Sequence, residues 1–335
     1  MTARPERTEP TEPTEPTVQI LADPDWGSGA LARDVRRSLG GRPRMLPPKW
    51  LYDDHGSDLF DQITRLPEYY PTEREREILR ANAADITVRS GATTLVELGS
   101  GTSDKTRTLL DALAATGQLQ RFIPVDVSAA TVRHAADTLS TEYPGLRIEA
   151  VVGDFVLHLG DLPRGDRRLV AFLGGTIGNF YTEERGALLG ALADSLDAGD
   201  SLLLGTDLVK APDRLIAAYD DSAGVTEAFI KNSLGVLNRA LDADFDLEAF
   251  SYIPFWDPRM ERMDLRLRAE MPQRVRVPGA GMILDLESGE EIRVEISTKF
   301  RPAGIGDELA AAGFVVTEQY LDAEGDYALT LARPA

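Results

Sequence analysis

The chain has 335 residues, of which 43% are hydrophobic and 27% charged, a balance typical of a soluble globular protein with about two domains. Its 55 acidic and 36 basic side chains give a net charge of −19, which disfavours binding to nucleic acid or to an anionic membrane. It has no cysteine and only three histidines, which excludes disulfides, cysteine-ligated metals and thiol nucleophiles, so we expect no metal site.

The N-terminal segment repeats Thr-Glu-Pro three times over residues 8–16. Proline at every third position blocks helix formation, the glutamates repel one another, and nothing apolar can be buried. We therefore expect a disordered tail over residues 1–24 with no role in chemistry. Because no apolar stretch is long enough to span a membrane and the N-terminus lacks an apolar signal-peptide core, we also expect a cytoplasmic protein.

From residue 93 to residue 205, short apolar runs alternate with helical patterns. The predicted strands are residues 94–98, 122–127, 148–152, 169–173 and 201–205. The predicted helices are residues 105–115, 129–140 and 182–196. Buried strands separated by helices are typical of a parallel sheet covered on both faces, so this part is predicted to be a doubly wound α/β domain.

The pattern changes after residue 209. Residues 210–250 have helical spacing, and residues 262–299 alternate apolar and polar side chains, which predicts half-buried antiparallel strands. The chain then ends with a helix from residue 306 and two strands, over 314–320 and 327–332. We expect a second, α+β substrate-binding lobe made of residues 25–73 plus 210–299, inserted into an α/β domain made of residues 74–209 plus 300–335.

Glycines and acidic residues follow successive strands of the predicted parallel sheet. Gly99 and Gly101 come after the first strand, Asp126 closes the second, and Asp154 closes the third with Phe155 next to it. In open α/β sheets, ligands bind outside the carboxyl ends of the strands. The glycines would let a ligand approach the backbone, Asp126 can accept two ribose hydroxyls, and Asp154 with Phe155 can bind an adenine.

These residues describe an adenosine without phosphates. The dinucleotide pattern G-x-G-x-x-G is incomplete, since Asp104 stands at the third glycine and would repel a pyrophosphate. S-adenosylmethionine (SAM) is therefore favoured over NAD. Taken singly, the glycines could form a tight structural turn without a ligand, and each acid could be a helix cap. Lys105 can pair with the carboxylate of that ligand or be simply solvated. Asn179 follows the fourth strand, where a methyl group would be transferred, or forms a turn.

Other candidate residues carry little signal by spacing. Glu295 and Ser297 share one face of a predicted strand, which spacing alone assigns to an ordinary exposed surface. Tyr52, Tyr69 and Tyr219 would be routine packing residues.

Several sequence blocks resemble the histidine-specific, SAM-dependent methyltransferase family, in particular its bacterial L-histidine Nα-methyltransferases of ergothioneine biosynthesis. The blocks are residues 47–53 (PPKWLYD), 56–64 (GSDLFDQIT), 66–72 (LPEYYPT), 96–102 (VELGSGT), 172–174 (FLG) and 205–207 (GTD). The similarity covers about residues 30 to 333, and the Tyr-Tyr-Pro-Thr block is specific to this family.

The resemblance implies a Rossmann-like class I SAM-dependent methyltransferase domain and three methyl transfers to the α-amine of L-histidine, giving hercynine. It implies cofactor contacts by Gly99, Lys105, Asp126, Asp154 and Phe155. It implies a substrate pocket in which Asn179 and Tyr219 hold the carboxylate, Tyr69, Glu295 and Ser297 surround the imidazole, and Tyr52 lines the wall. We expect L-histidine as the small-molecule partner and a monomeric protein.

The family does not fix the substrate by itself, because fungal relatives methylate a prenylated tryptophan. An N-methyltransferase for tryptophan or another amine is therefore the first alternative. A non-catalytic SAM-binding module and a dinucleotide-dependent dehydrogenase are the others.

Overall fold

The computed structural model describes residues 15–21 and 26–335, which form two sheets, a hairpin and the surrounding helices. The strands are β1 (Thr17–Ile20), β2 (Arg44–Met45), β3 (Thr94–Leu98), β4 (Arg121–Asp126), β5 (Arg147–Val152), β6 (Arg168–Phe172), β7 (Ser201–Asp207), β8 (Phe250–Asp257), β9 (Arg262–Ala269), β10 (Gln273–Val277), β11 (Met282–Leu286), β12 (Glu291–Thr298), β13 (Phe314–Leu321) and β14 (Tyr327–Pro334). The α helices are α1 (Leu31–Leu39), α2 (Asp54–Ile63), α3 (Tyr70–Ser90), α4 (Thr106–Ala115), α5 (Ala129–Glu142), α6 (Phe155–His158), α7 (Thr182–Ser195), α8 (Pro212–Tyr219), α9 (Val225–Leu241) and α10 (Pro302–Ala311).

The large sheet has eight strands in the order β1-β5-β4-β3-β6-β7-β14-β13. Strands β1 and β3 to β7 run parallel, β14 runs antiparallel to β7, and β13 runs antiparallel to β14 and therefore in the same direction as β7. Adjacent residues of β3 enter different cores, Leu95 on one face and Val96 on the other, because helices cover both faces. The prediction of a doubly wound, Rossmann-like α/β fold is therefore confirmed. The chain order reverses between β3 and β6, which opens a crevice at their carboxyl ends.

The tail prediction is wrong for residues 17–20. These residues form β1, which pairs in parallel with residues 149–152 of β5, and the backbone N–H of Leu21 donates to Val152 O at 3.0 Å. After the last proline the sequence Thr-Val-Gln-Ile is rich in β-branched residues, and the edge of β5 offers it unpaired backbone groups. Residues 1–14, which hold most of the Thr-Glu-Pro repeat, and residues 22–25 lie outside the described residues.

The second sheet has the order β2-β12-β9-β8, and β10 and β11 form a separate hairpin. One hydrophobic cluster joins residues 31–69 to residues 215–294, with Leu265 of β9 and Ile230 of α9 at its centre. On this packing we propose that the two sequence segments form one lobe. The predicted boundary between residues 73 and 74 falls inside a helix, since α3 runs without a break from Tyr70 to Ser90 and belongs to both parts. No helix within the described ranges is long and apolar enough to cross a membrane.

The outer face of the second sheet is organised around a buried carboxylate. Asp264 of β9 accepts hydrogen bonds from Arg266 Nε at 2.7 Å and Arg293 Nε at 3.0 Å, and Arg293 Nη2 lies 2.7 Å from its other oxygen. Burial alone would raise the pKa of Asp264, but the two arginines outweigh it and hold this pKa below its ordinary value. Ionised Asp264 therefore stabilises the fold above about pH 4, and this contribution is lost as the pH falls through the lowered pKa.

We expect Asp264→Asn to lower the free energy of unfolding by about 3 kcal/mol at pH 7, because the arginines lose a buried counter-charge. Glu291→Gln is the matched control, since Glu291 also bonds Arg266 but its side chain is 25% exposed, and it should lose less than about 1 kcal/mol. Urea denaturation of the three proteins measures both values. Equal losses, or a difference between wild type and Asp264→Asn that does not decrease as the pH falls below about 4, would contradict this account.

Candidate active site

The loop between β3 and α4 forms a glycine-lined cradle at the carboxyl edge of the large sheet. Gly99 and Gly101 have φ values of +68° and +49°, in the left-handed region that favours glycine. A Cβ atom on Gly99 would lie 3.9 Å from Cε1 of Phe155, so that ring bounds the space above the loop. The cradle has room for a ligand to lie against the backbone.

Glu97 of β3 supports this loop from below. Its carboxylate accepts hydrogen bonds from Ser103 Oγ at 3.0 Å and from the hydroxyl of Thr106. Burial raises the pKa of Glu97 to about 7, although these hydrogen bonds oppose the shift. Both hydroxyl contacts point to a positioning role in the loop.

Asp126 closes β4 beside the cradle. Its two oxygens accept from the backbone N–H groups of Gly101 and Ser128, each at 2.9 Å. A carboxylate has about four acceptor positions, so two remain for the hydroxyls of a ligand. Burial raises the pKa of Asp126. The predicted residues Gly99, Asp126 and Phe155 thus lie around one space.

Asp154 has two protein partners of its own. One oxygen accepts from Val156 N at 3.0 Å and caps α6, and the other lies 3.2 Å from Nζ of Lys49, in the second lobe. The next residue, Phe155, packs against Phe172 with ring centroids 5.2 Å apart. Asp154 therefore ties the second lobe to the cradle, and its contact with an adenine stays a prediction.

Lys105 was expected to face the carboxylate of a ligand, and the structure adds a protein partner. Its ammonium forms an ion pair with Glu75 of α3, which is fully buried. Glu75 also accepts from Gly174 N and from the hydroxyl of Tyr327, both at 2.8 Å. The Lys105 side chain stays 22% exposed, so its remaining protons can still reach a ligand. Glu75 was not predicted from the sequence. The feature that could have indicated it is an acidic side chain on the apolar face of α3, three residues before Ile78.

A β-bulge in β12 creates the other half of the site. Arg293 pairs with Arg266 of β9, yet Glu295 pairs with Leu265, so Val294 is an extra residue. The bulge turns Glu295 and Ser297 to the side of the buried Leu265, while Arg293 stays on the outer face. The exposed surface predicted by spacing is therefore wrong, because a strand with a bulge does not keep its alternation.

Glu295 is a half-buried carboxylate close to Asn179, Lys299 and several tyrosines. Burial raises its pKa to about 7, even though Lys299 and a hydrogen bond from Asn179 lower it. Asn179 ends the turn of residues 176–179 that follows β6. The structure thus brings Glu295 and Asn179, two predicted site residues 116 positions apart in the sequence, into direct contact.

Three predicted tyrosines surround this carboxylate. The hydroxyl of Tyr219 lies 2.8 Å from Ser297 Oγ, and the ring of Tyr69 packs edge-on against Tyr219 at 6.1 Å. Tyr52 packs against Phe229 at 5.4 Å. Burial raises the pKa of all three tyrosines well above its ordinary value, with a further contribution from Glu295. Tyr52 also feels the charge of Asp126, which places it between the cradle and Glu295.

Two more charged residues complete the site and were missed from the sequence. Lys299 donates to both Tyr219 and Ser297, and it forms an ion pair with Asp207 at the end of β7. The signal for Lys299 was its period-two spacing from Glu295 and Ser297. Within residues 15–21 and 26–335, no group of three or more histidine, aspartate or glutamate side chains could hold a metal ion.

Known proteins match most of this chain. Residues 31–334 match the sequence model of a family described as histidine-specific, SAM-dependent methyltransferases. Over 308 residues the chain is 54% identical to the histidine N-alpha-methyltransferase of Mycolicibacterium smegmatis and 53% identical to that of Mycobacterium tuberculosis, covering 92% of this chain and 96% of each relative. It is 26% identical to the L-tryptophan methyltransferase of Psilocybe serbica, covering 87% and 88%. The chain therefore belongs to the histidine-specific, SAM-dependent methyltransferase family and is a methyltransferase that uses SAM.

Proposed function

We propose that this protein methylates the α-amino nitrogen of L-histidine three times and so forms hercynine, the first step of ergothioneine biosynthesis. The observation that carries the choice of substrate is the bulge in β12, which aims the carboxylate of Glu295 into the pocket beside Ser297 and Tyr219. The relatives named histidine N-alpha-methyltransferases, both above 50% identity, support the same choice. We further propose that the protein is cytoplasmic and, since one chain supplies every residue of the proposed site, that it acts as a monomer.

The cradle residues fit SAM. Gly99 and Gly101 would let SAM lie directly against the backbone of the loop. Asp126 would accept hydrogen bonds from the ribose hydroxyls, and Asp154 with Phe155 would hold the adenine. Lys105 would pair with the carboxylate. When bound, SAM supplies a methyl group on a positively charged sulfur, which an amine lone pair can displace directly.

The substrate pocket can hold histidine at both ends. Glu295 and Ser297 would bind the imidazole, and Tyr219 would donate to the carboxylate. An asparagine amide has two N–H donors, so Asn179 can keep its bond to Glu295 and donate the second to the substrate carboxylate. Fixing both ends leaves the amine free to turn between rounds. Alignment of this kind can contribute about 7–11 kcal/mol to the lowering of a reaction barrier.

Each round replaces one N–H bond by an N–CH3 bond and releases one proton. A histidine α-ammonium therefore releases three protons on its way to the quaternary product. Tyr52 and Tyr69 stay neutral near pH 7 because their pKa values are raised, so they act as walls and hydrogen-bonding groups and not as anions. The quaternary ammonium has no N–H left to donate, so it needs space and not a hydrogen-bond acceptor.

We expect the purified protein to convert histidine into a product carrying three additional methyl groups, with three molecules of S-adenosylhomocysteine formed per histidine. Mass spectrometry of reactions with histidine and with tryptophan, each supplied with labelled SAM, checks this. Methylation of tryptophan alone, or a histidine product that stops at one methyl group, would contradict the proposal. SAM binding without turnover of any amine would favour the non-catalytic alternative.

Substitutions in the two halves of the site should have opposite effects. We expect Glu295→Gln to raise the dissociation constant for histidine about thirtyfold, ~2 kcal/mol, because the imidazole loses a buried charged partner. Asp126→Ala should instead weaken SAM by about tenfold and leave histidine within about twofold. Calorimetric titrations with histidine and with S-adenosylhomocysteine measure both. Equal losses of the two ligands in either variant would argue against the assigned roles.

Histidine binding should be linked to protons. The pKa of Glu295 is raised to about 7, and a free imidazole has a pKa of about 6.5. The bound pair shares one proton, so binding releases a proton below about pH 6 and takes one up above about pH 8, and affinity is greatest near pH 7. Titrations in buffers of different ionisation enthalpy measure the exchanged proton. The absence of proton exchange on both sides of neutrality would contradict the carboxylate–imidazole pair.

A further inference from the structure

Lys299 is a residue of the substrate side to which the proposed contacts give no role. Its side chain is fully buried just after the end of β12. A buried ammonium needs an acceptor for each of its three protons. The acceptors are Tyr219 Oη at 2.7 Å, Ser297 Oγ at 2.8 Å and Asp207 Oδ2 at 2.8 Å.

This arrangement fixes the direction of the two hydroxyl groups. A hydroxyl has one proton to donate and two lone pairs. Tyr219 and Ser297 each use a lone pair to accept from Lys299, so each is left with its proton, which points to the other hydroxyl or into the pocket. Because one of the two protons lies in the 2.8 Å bond between the hydroxyls, the pair presents one donor and one unused lone pair to a substrate. A substrate carboxylate can accept from that donor, and an imidazole N–H can donate to that lone pair.

The same lysine gives the floor of the pocket a positive charge. Asp207 is shared between Lys299 and Lys210, and it also accepts from the hydroxyl of Tyr70 at 2.8 Å. Burial lowers the pKa of Lys210, and Asp326 also interacts with its ammonium. Burial would raise the pKa of Asp207, but the two lysines outweigh it and hold this pKa below its ordinary value.

The positive charge acts on Glu295. The titratable groups that interact with Glu295 are Lys299 and the tyrosines Tyr52, Tyr69, Tyr219 and Tyr252. Among these only Lys299 is charged near neutral pH, because the tyrosines are neutral phenols. Lys299 therefore favours the anionic form of Glu295, which is the form that binds an imidazolium.

We propose that Lys299 is a positioning and specificity-determining residue, which fixes the hydrogen-bonding direction of the Tyr219–Ser297 hydroxyl pair toward the substrate and places a positive charge near Glu295. This inference rests on the proposed function, since it deepens the account of histidine recognition. Lys299 touches the hydroxyls and not the reacting amine, so its effect should appear in substrate binding and its pH dependence.

A purely structural role of Lys299 predicts a different result. Lys299 joins the end of β12 to the end of β7, and Lys210 binds the same Asp207 without touching Tyr219 or Ser297. If Lys299 only neutralised Asp207, then Lys299→Met and Lys210→Met would have similar effects. Lys210→Met is therefore the matched control.

The test compares wild type, Lys299→Met and Lys210→Met as full-length proteins. We expect Lys299→Met to raise KM for histidine about tenfold or more, with KM for SAM and kcat changed less than about threefold. Histidine affinity is also measured against pH with S-adenosylhomocysteine present. In Lys299→Met the fall in affinity on the acidic side of this profile, its acidic limb, should shift to higher pH. Lys210→Met should change KM for histidine less than about threefold and leave the limb in place.

Similar losses in the two variants, or an acidic limb unmoved in Lys299→Met, would overturn the inference. If Lys299→Met does not fold, Lys299→Gln takes its place, since its amide can donate to both hydroxyls but carries no charge. We then expect the shifted limb with a smaller loss of affinity, and an unshifted limb overturns the inference. If the wild-type protein binds no histidine, the proposed function is overturned as well. If the wild-type protein methylates histidine and the two variants lose affinity to the same extent, only the role of Lys299 is overturned.

Discussion

A carboxylate removed from water needs a partner, and in this protein that need shapes the substrate side of the site. Glu295 lies among tyrosines, and burial raises its pKa because the pocket solvates its charge less well than water does. Asn179 and Lys299 stabilise the anion only in part. The free protein therefore already bears the desolvation cost of the Glu295 carboxylate. A ligand that brings a positively charged or proton-sharing group reduces this cost, and its binding is favoured for that reason. The imidazole of histidine is such a group.

The position of that carboxylate depends on the meeting of the two lobes. Glu295 belongs to the second sheet, whereas Asn179 follows a strand of the large sheet and Asp207 ends one, so the proposed pocket lies where the two sheets meet. Helix α3 holds this junction, since it begins at Tyr70 in the second lobe and brings Glu75 to the loops of the first. Lys49 makes a second connection, from the second lobe to Asp154 beside the cradle. The cofactor side and the substrate side are thereby linked through charged contacts.

Sequence patterns predicted the large sheet well because its strands are buried on both faces and its helices repeat regularly. They also predicted the acids at the strand ends, since parallel strands end at one edge. The strand β1 was missed because its four residues follow a polar, proline-rich repeat and find their partner, β5, more than a hundred residues away.

The substrate side shows the limit of pattern reading. Spacing placed Glu295 and Ser297 on an exposed face. Strict alternation cannot anticipate the extra residue Val294, which moves the side chains that follow it to the opposite face of the strand. Only the family resemblance assigned these residues to a pocket. Glu75 was missed because it stands in the alternating charged run of residues 73–77, and Lys299 because it is an isolated charge in the sequence. The partners that bury each of them come from distant segments. Buried ion pairs of this kind depend on tertiary contacts and leave little local signal.

The central claim is that Glu295 receives the imidazole of histidine while the amine faces the cradle. A crystal structure of the protein with S-adenosylhomocysteine and L-histidine tests it most directly. The account predicts an imidazole nitrogen about 2.7–3.0 Å from a carboxylate oxygen of Glu295 and the α-amine directed at the sulfur. Histidine bound with its imidazole away from Glu295, or a nucleoside bound away from Asp126, would contradict it.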